Sequence, residues 1–198
     1  MTRFIEPVAL AGEHATLLPL EHAHEDALAA AARDGELWQL WYTSVPAPER
    51  VHDYVATALR QREHDGAMPF AVRDNASGQI VGCTRYLNVV AEHRRLEIGH
   101  TWYAKRAQRS AINTECKLLL LTHAFEALGC IAVEFRTSWF NHASRRAIER
   151  LGAKQDGVLR NHNILPDGSL RDTVVFSIIA GEWPAVRRNL EFQLQRPR

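Results

Sequence analysis

Between residues 95 and 152 the chain reads strand, basic loop, helix, strand, helix, and no other stretch constrains the fold as much. Residues 95–103 (RLEIGHTWY) carry the β-branched and aromatic side chains of a strand. Ala104 to Ser110 are polar and basic. Residues 111–128 then place Ile112, Leu118, Leu119, Leu121, Ala124, Phe125 and Leu128 at helical spacing, and Gly129 is a natural C-terminal stop. Residues 131–137 (IAVEFRT) are short and β-branched, which suits a buried strand parallel to an earlier one. Residues 142–151 form another helix, stopped by Gly152.

The flanks complete a mixed α/β domain. Residues 13–20 read as a strand disturbed by a proline, and 23–33 as an alanine-rich helix. Residues 34–47 break that helix and carry Trp38, Trp41, Tyr42 and Pro46. A second helix over about 48–64 puts Val51, Tyr54, Val55, Ala58 and Leu59 on one face. Residues 69–73 and 79–89 form a hairpin around Asp74-Asn75-Ala76-Ser77-Gly78. Residues 153–160 and 171–180 are strands with a turn at Pro166-Asp167-Gly168, and 181–194 a helix opened by Trp183-Pro184. No repeat or linker interrupts the chain, so residues 1–198 form a single domain. A chain of this length buries roughly 70% of its unfolded surface and needs no staples.

Composition excludes several classes of partner. A formal net charge of +1 demands neither nucleic acid nor an acidic membrane surface. The three cysteines, Cys83, Cys116 and Cys130, have no CxxC spacing and read as reduced thiols of a cytoplasmic protein. Met1 to Pro7 lack the apolar core of a signal peptide, and no apolar run reaches the roughly 20 residues that span a bilayer. The ten histidines show no HExxH or other zinc spacing, so no metal is expected. His22 and His24 read as solvated. His93 and His100 read as surface or strand residues, with a place at a substrate site as the alternative.

Two local patterns carry chemistry. The first runs from Trp102 to Glu115: a strand end, a basic loop and a helix start. A helix N-terminus offers unpaired N–H groups and a positive dipole end to a pyrophosphate, and Arg106 and Arg109 add charge. The second runs from Asn141 to Ala153, one strand further on. Alone, each has a structural reading: Ser110 and Asn141 as N-caps, Arg106 and Arg109 as a solvated face. Their order, flanking one strand, favours function.

The most specific stretches are Gln108-Arg109-Ser110-Ala111-Ile112-Asn113-Thr114-Glu115, Asn141-x-x-Ser144-x-Arg146-x-x-Glu149-Arg150-Leu151-Gly152-Ala153, and Leu165-Pro166-Asp167-Gly168-x-x-Arg171-Asp172. On these, and in element order over essentially the whole chain, the sequence resembles the GNAT N-acetyltransferase superfamily, in particular its ribosomal-protein N-terminal acetyltransferase branch. The resemblance implies a largely antiparallel central sheet flanked by helices, with splayed parallel strands that hold coenzyme A. It implies acetyl-CoA as acetyl donor and a primary amine as acceptor, either a small molecule or a peptide or protein N-terminus. It implies a monomer or homodimer.

The resemblance also assigns residues. Gln108, Arg109, Ser110, Ala111, Ile112, Asn113 and Thr114 form the pyrophosphate loop. Ala111 and Asn113 stand where glycine or a small residue is usual, which is a departure, since glycine lets backbone approach phosphate. Asn141 contacts the pantetheine arm, Arg146 the adenosine end, and the backbone of Trp102 and Tyr103 the pantetheine amides and thioester carbonyl. Glu97 is the base that deprotonates the amine, with a solvated strand glutamate as the alternative. Ser144 protonates the leaving thiolate, or is a helix first-turn serine. Trp38, Trp41, Tyr42, Phe70 and Tyr86 form the acceptor pocket. Two other readings stay open. One is a non-catalytic acyl-CoA sensor. The other is a transferase of another acyl group such as succinyl, with Arg85 or Arg94 as a carboxylate clamp.

Overall fold

The computed structural model describes residues 4–196. The elements are β1 (Leu10–Ala11), β2 (Ala15–Pro19), α1 (Glu25–Arg33), α2 (Val51–His64), β3 (Met68–Asp74), β4 (Ile80–Val90), β5 (Arg95–Tyr103), α3 (Ile112–Thr122), β6 (Ala132–Ser138), α4 (His142–Leu151), β7 (Lys154–Ile164), β8 (Leu170–Ile179) and α5 (Trp183–Gln195). One eight-stranded sheet runs β1-β2-β3-β4-β5-β6-β8-β7. Every neighbouring pair is antiparallel except β5 and β6.

That parallel pair is short. Arg95, Leu96 and Glu97 pair with Ala132, Val133 and Glu134, and there the ladder stops. β5 continues to Tyr103 and β6 to Ser138 without pairing to each other. The cause lies on the other edge of β5, where Arg85 and Cys83 of β4 face Gly99 and Trp102. One residue on β4, Thr84, thus opposes two on β5, a β-bulge at His100–Thr101. His100 takes φ 49°, a left-handed conformation rare outside glycine. A bulge bends the strand that carries it, and here it turns β5 away from β6.

Strand alternation gives each face of the sheet its own core. On one face Leu17, Phe70, Val72, Tyr86, Leu96, Ile98, Val133, Phe135, Val174 and Phe176 pack with Cys116 and Leu120 of α3 and Val186 and Leu190 of α5. On the other, Ala71, Cys83 and Trp102 pack with Leu28, Ala31 and Ala32 of α1 and Val51, Val55 and Ala58 of α2. Glu115 of α3 ties the first strands down. Its carboxylate accepts the backbone N–H groups of Glu13 (2.9 Å), His14 (2.7 Å) and Ala15 (2.7 Å). A Cβ at residue 12 would sit 2.4 Å from that carboxylate, so Gly12 is required there.

The expected helix over 111–128 is α3 followed by a wider π turn at His123–Ala127. Its buried face is Ile112, Cys116, Leu120, Leu121 and Ala124, while Leu118 and Leu119 are only partly covered. No helix among the described residues is long and apolar enough to cross a membrane.

Candidate active site

Where β5 and β6 part, a cleft of about 390 Å³ opens between them. Ile98 to Tyr103 of β5 form one wall, Phe135 to Thr137 of β6 the other. Asn113 and Lys117 of α3 and Asn141, Ser144, Ala147 and Ile148 at the start of α4 close one end. Leu37, Leu40 and Tyr42 to Val45, from the α1–α2 connection, cover the mouth together with Arg171 of β8.

The sequence-predicted cofactor residues divide. Trp102, Tyr103, Gln108, Arg109, Asn113 and Asn141 line the cleft. Gln108 Nε2 donates to the Tyr103 carbonyl at 3.0 Å, fixing the loop to the end of β5. α3 starts at Ile112, and its first intrahelical bond runs from Glu115 N–H to the Ala111 carbonyl at 2.9 Å. The N–H groups of Asn113 and Thr114 precede that bond and have no partner within the helix. Asn141 caps α4, its Oδ1 accepting from Ser144 N–H at 3.0 Å, and the residue also lines the cleft. The capping and cleft-lining readings therefore hold together. Ser110, Ala111 and Ile112 instead line a separate concavity of about 410 Å³ with Glu13, His14 and Asn75. Thr114 is buried, with its hydroxyl 3.4 Å from Arg150. Arg146 lies exposed on α4, outside the lining. Arg106 binds Asp34 and Gln79, so it ties the loop to the body of the protein.

The acceptor residues need correction. Phe70 and Tyr86 are wholly buried under α3, edge to face at 5.6 Å, with the Tyr86 hydroxyl donating to the Leu120 carbonyl. Alternation points both to the face away from α1 and α2, so they belong to the core. Of the aromatic loop residues, Tyr42 lines the cleft. Trp38 and Trp41 are exposed outside it, and the Trp41 ring meets Phe140 at 5.3 Å. Leu37, just before Trp38, and Leu40, between the tryptophans, line the cleft, and Leu40 remains exposed.

Glu97 points to the α2 face, as strand alternation from Ile98 requires. Its carboxylate accepts Asn88 Nδ2 at 2.7 Å and lies 3.5 Å from Arg136 Nε. It borders the cleft at Gly99, where an added Cβ would meet Oε1 at 3.0 Å. Burial raises its pKa above the ordinary carboxylate range, against the pull of Asn88 and Arg136. Ser144 lines the cleft. Arg85 is buried, bonded to Gln61 at 2.6 Å and stacked over Tyr54, behind the lining.

Three lining residues that sequence reasoning did not assign stand out, Lys117, Arg136 and Arg171, beside His100, whose place at a substrate site was the alternative reading. Burial, with Arg85 and Arg171 nearby, pushes His100 down to about 4, so its ring is neutral at neutral pH. Lys117 is buried, with its ammonium on Thr101 (2.7 Å) and Thr84 (3.4 Å), and burial lowers it to about 8. One readable signal existed: Lys117 follows Asn113 by four residues and so shares its helix face. Outside the cleft, Glu25 bridges His22 at 2.5 Å and His52 at 2.9 Å, so His22 is paired rather than merely solvated. These three are the group with metal-ligand spacing among the described residues, their donor atoms within 4.8 Å of one another.

Comparison with known proteins fits this geometry. The sequence profile of the Acetyltransferase (GNAT) domain matches residues 14–154. A GCN5-related N-acetyltransferase from Brucella melitensis superposes with a TM-score of 0.86 at 28% identity, covering 96% of this chain and 86% of that one. The structure of RimJ from Mycobacterium smegmatis in complex with CoA-disulfide shares the fold at a TM-score of 0.79 and 20% identity, over 94% of this chain and 95% of that one. The N-acetyltransferase YoaA of Bacillus subtilis (strain 168), itself uncharacterized, is 28% identical over 101 residues, 51% of this chain and about half, 56%, of YoaA. The profile covers well over half of the sequence, and the chain belongs to the GNAT acetyltransferase domain family.

Proposed function

We propose that the protein transfers an acetyl group from acetyl-CoA to a primary amine, by direct attack within the β5–β6 cleft. The observation that carries this reading is the split itself. It leaves backbone N–H and C=O groups of Ile98–Tyr103 facing a cleft, where an extended amide-bearing arm can complete the ladder. The N-terminus of α3 and Arg109 supply positive charge for a pyrophosphate at one end. Asn141, which lines the cleft, contacts the arm in this reading, and Asn113 lines it at a position where glycine or a small residue is usual.

Bound acetyl-CoA would supply an activated thioester. The chain's own residues then orient and move protons. The amine nitrogen bonds to the carbonyl carbon, the C–S bond breaks, and the sulfur leaves as thiolate. The bulge N–H groups beside Gly99 and His100 stand where a carbonyl oxygen gaining charge needs donors. Glu97, with its raised pKa, takes the amine proton through water at Gly99. Ser144, which lines the cleft, returns a proton to sulfur in this reading. The aromatic loop, with Tyr42, Leu37 and Leu40, covers the acceptor.

The test is a thermal melt with acetyl-CoA, followed by a screen of amines and peptide N-termini read by thiol release and product mass. Acetyl-CoA raises the melting temperature and adenosine alone does so far less. Acetylated product distinguishes a transferase from a sensor that binds without turnover. No melting shift at millimolar acetyl-CoA overturns the reading.

A further inference from the structure

Glu97 borders the cleft behind Gly99, and the lining itself is cationic. The lining includes Arg109, Lys117, Arg136 and Arg171, and no aspartate or glutamate. Two of these cations, Arg109 and Lys117, lie toward Asn113 and the start of α3, where phosphates are expected. The other two lie apart from these, Arg171 near His100 and Arg136 beside Glu97.

Around these two, positive charge exceeds its partners. Glu97 is 3.5 Å from Arg136 and attracts Arg171 more weakly. Glu134 holds Arg136 at 2.9 Å but is shared with Arg95. Arg85 adds a further buried guanidinium behind His100, bonded only to the neutral Gln61 amide. Among the described residues, His100 Nδ1 and Arg171 Nε are buried here without a hydrogen-bond partner, and Arg136 Nε has the 3.5 Å contact to Glu97 in place of a hydrogen bond. Buried polar atoms are nearly always satisfied, and a buried guanidinium is costly unless an anion meets it. A guanidinium's planar fork matches a carboxylate in two parallel bonds.

We propose that Arg171, with Arg136 behind it, binds a carboxylate carried by the ligand at the acyl end of the cleft. The acceptor is then an amine that also bears a carboxylate, as an amino acid does, rather than a polyamine or another basic amine. The same clamp fits a second source of the carboxylate, the free end of a dicarboxylic acyl group on coenzyme A. A second positive charge on the acceptor is repelled by Arg136 and Arg171, and Glu97, which borders the cleft, is already paired with Arg136 at 3.5 Å. The inference rests on the acyl-transfer reading above.

The experiment compares free amino acids with their matched amides as acceptors, using acetyl-CoA and succinyl-CoA in parallel, in the wild type, Arg171→Gln and Arg171→Lys. If the acceptor carries the carboxylate, kcat/KM for the acid exceeds that for the amide by roughly tenfold or more with acetyl-CoA. That ratio falls toward one in Arg171→Gln and recovers in part in Arg171→Lys. If the acyl group carries it, succinyl-CoA outperforms acetyl-CoA, the preference falls in Arg171→Gln, and acid and amide acceptors perform alike. Equal use of acid and amide, with no preference for succinyl-CoA, overturns the proposal. If no acceptor turns over, titration of the CoA-bound protein with N-acetyl amino acids and their amides reads the same discrimination. If CoA fails to bind, the acyl-transfer reading fails, and titration of the free protein with the same pairs still decides the carboxylate site. Equal binding of both overturns it.

Discussion

Lys117 brings an ammonium group into the sheet with two threonine hydroxyls and no carboxylate to receive it. Its pKa falls from an ordinary 10.5 to about 8, so below pH 8 the folded protein holds a charge that burial disfavours. A shift of that size corresponds to roughly 3 kcal/mol. The sign follows from proton counts: between pH 8 and 10.5 the unfolded chain binds the proton and the folded chain does not, so stability rises with pH there. Lys117→Met is expected to gain up to about 3 kcal/mol at pH 7 in urea melts, to lose that alkaline rise, and to bind coenzyme A more weakly. At this scale the sequence was legible wherever a side chain's role depended on neighbours along the chain, as at Asn141. It was not legible where the role depended on the face of a strand. Phe70 and Tyr86 read as pocket aromatics because nothing local says which side of β3 and β4 faces α3. Arg136 and Arg171 come from strands far apart in sequence, and only the sheet order brings them to one cleft.

Elements with their own punctuation were readable to the residue. α4 runs His142–Leu151, as expected, because Asn141 caps it and Gly152, at φ 103°, ends it. β1, of two residues, exists only through its pairing with β2 and leaves no periodic trace. The bulge in β5 was equally silent, since its left-handed residue is His100 and not glycine. α3 illustrates a third case: its apolar pattern marks the helix, but its anchoring comes from a charge. Glu115 receives three backbone N–H groups from the turn between β1 and β2. Glu115→Gln places an amide NH₂ against one or two of those donors. The expected loss is about 3 kcal/mol, with a melting temperature lower by roughly 10 °C, read by calorimetry. A melting temperature unchanged from wild type would show that the first strands hold without this clamp.

Over the whole molecule, the element order foretold a parallel pair near the middle of the sheet, and β5 and β6 are that pair. What the order did not convey is how unevenly the two halves are joined. β1–β5 and β6–β8 meet through the pairs at Arg95, Leu96 and Glu97. The core under α3 and α5 is continuous across that seam, whereas the core under α1 and α2 stops at β5. Hydrogen exchange is expected to show faster opening for amides of 98–101 and 135–138 than for 70–72 or 174–178. Saturating coenzyme A should slow exchange on both walls together, and protection of one wall alone would count against a ligand shared by both strands. On the acetyl-CoA reading proposed above, a ligand that fills the cleft would tie the two halves together. Proteolytic survival, which tracks the population of the opened form, would then gauge thioester supply. With the donor scarce the seam would part more often and the protein would be cut sooner, so abundance itself would follow the donor.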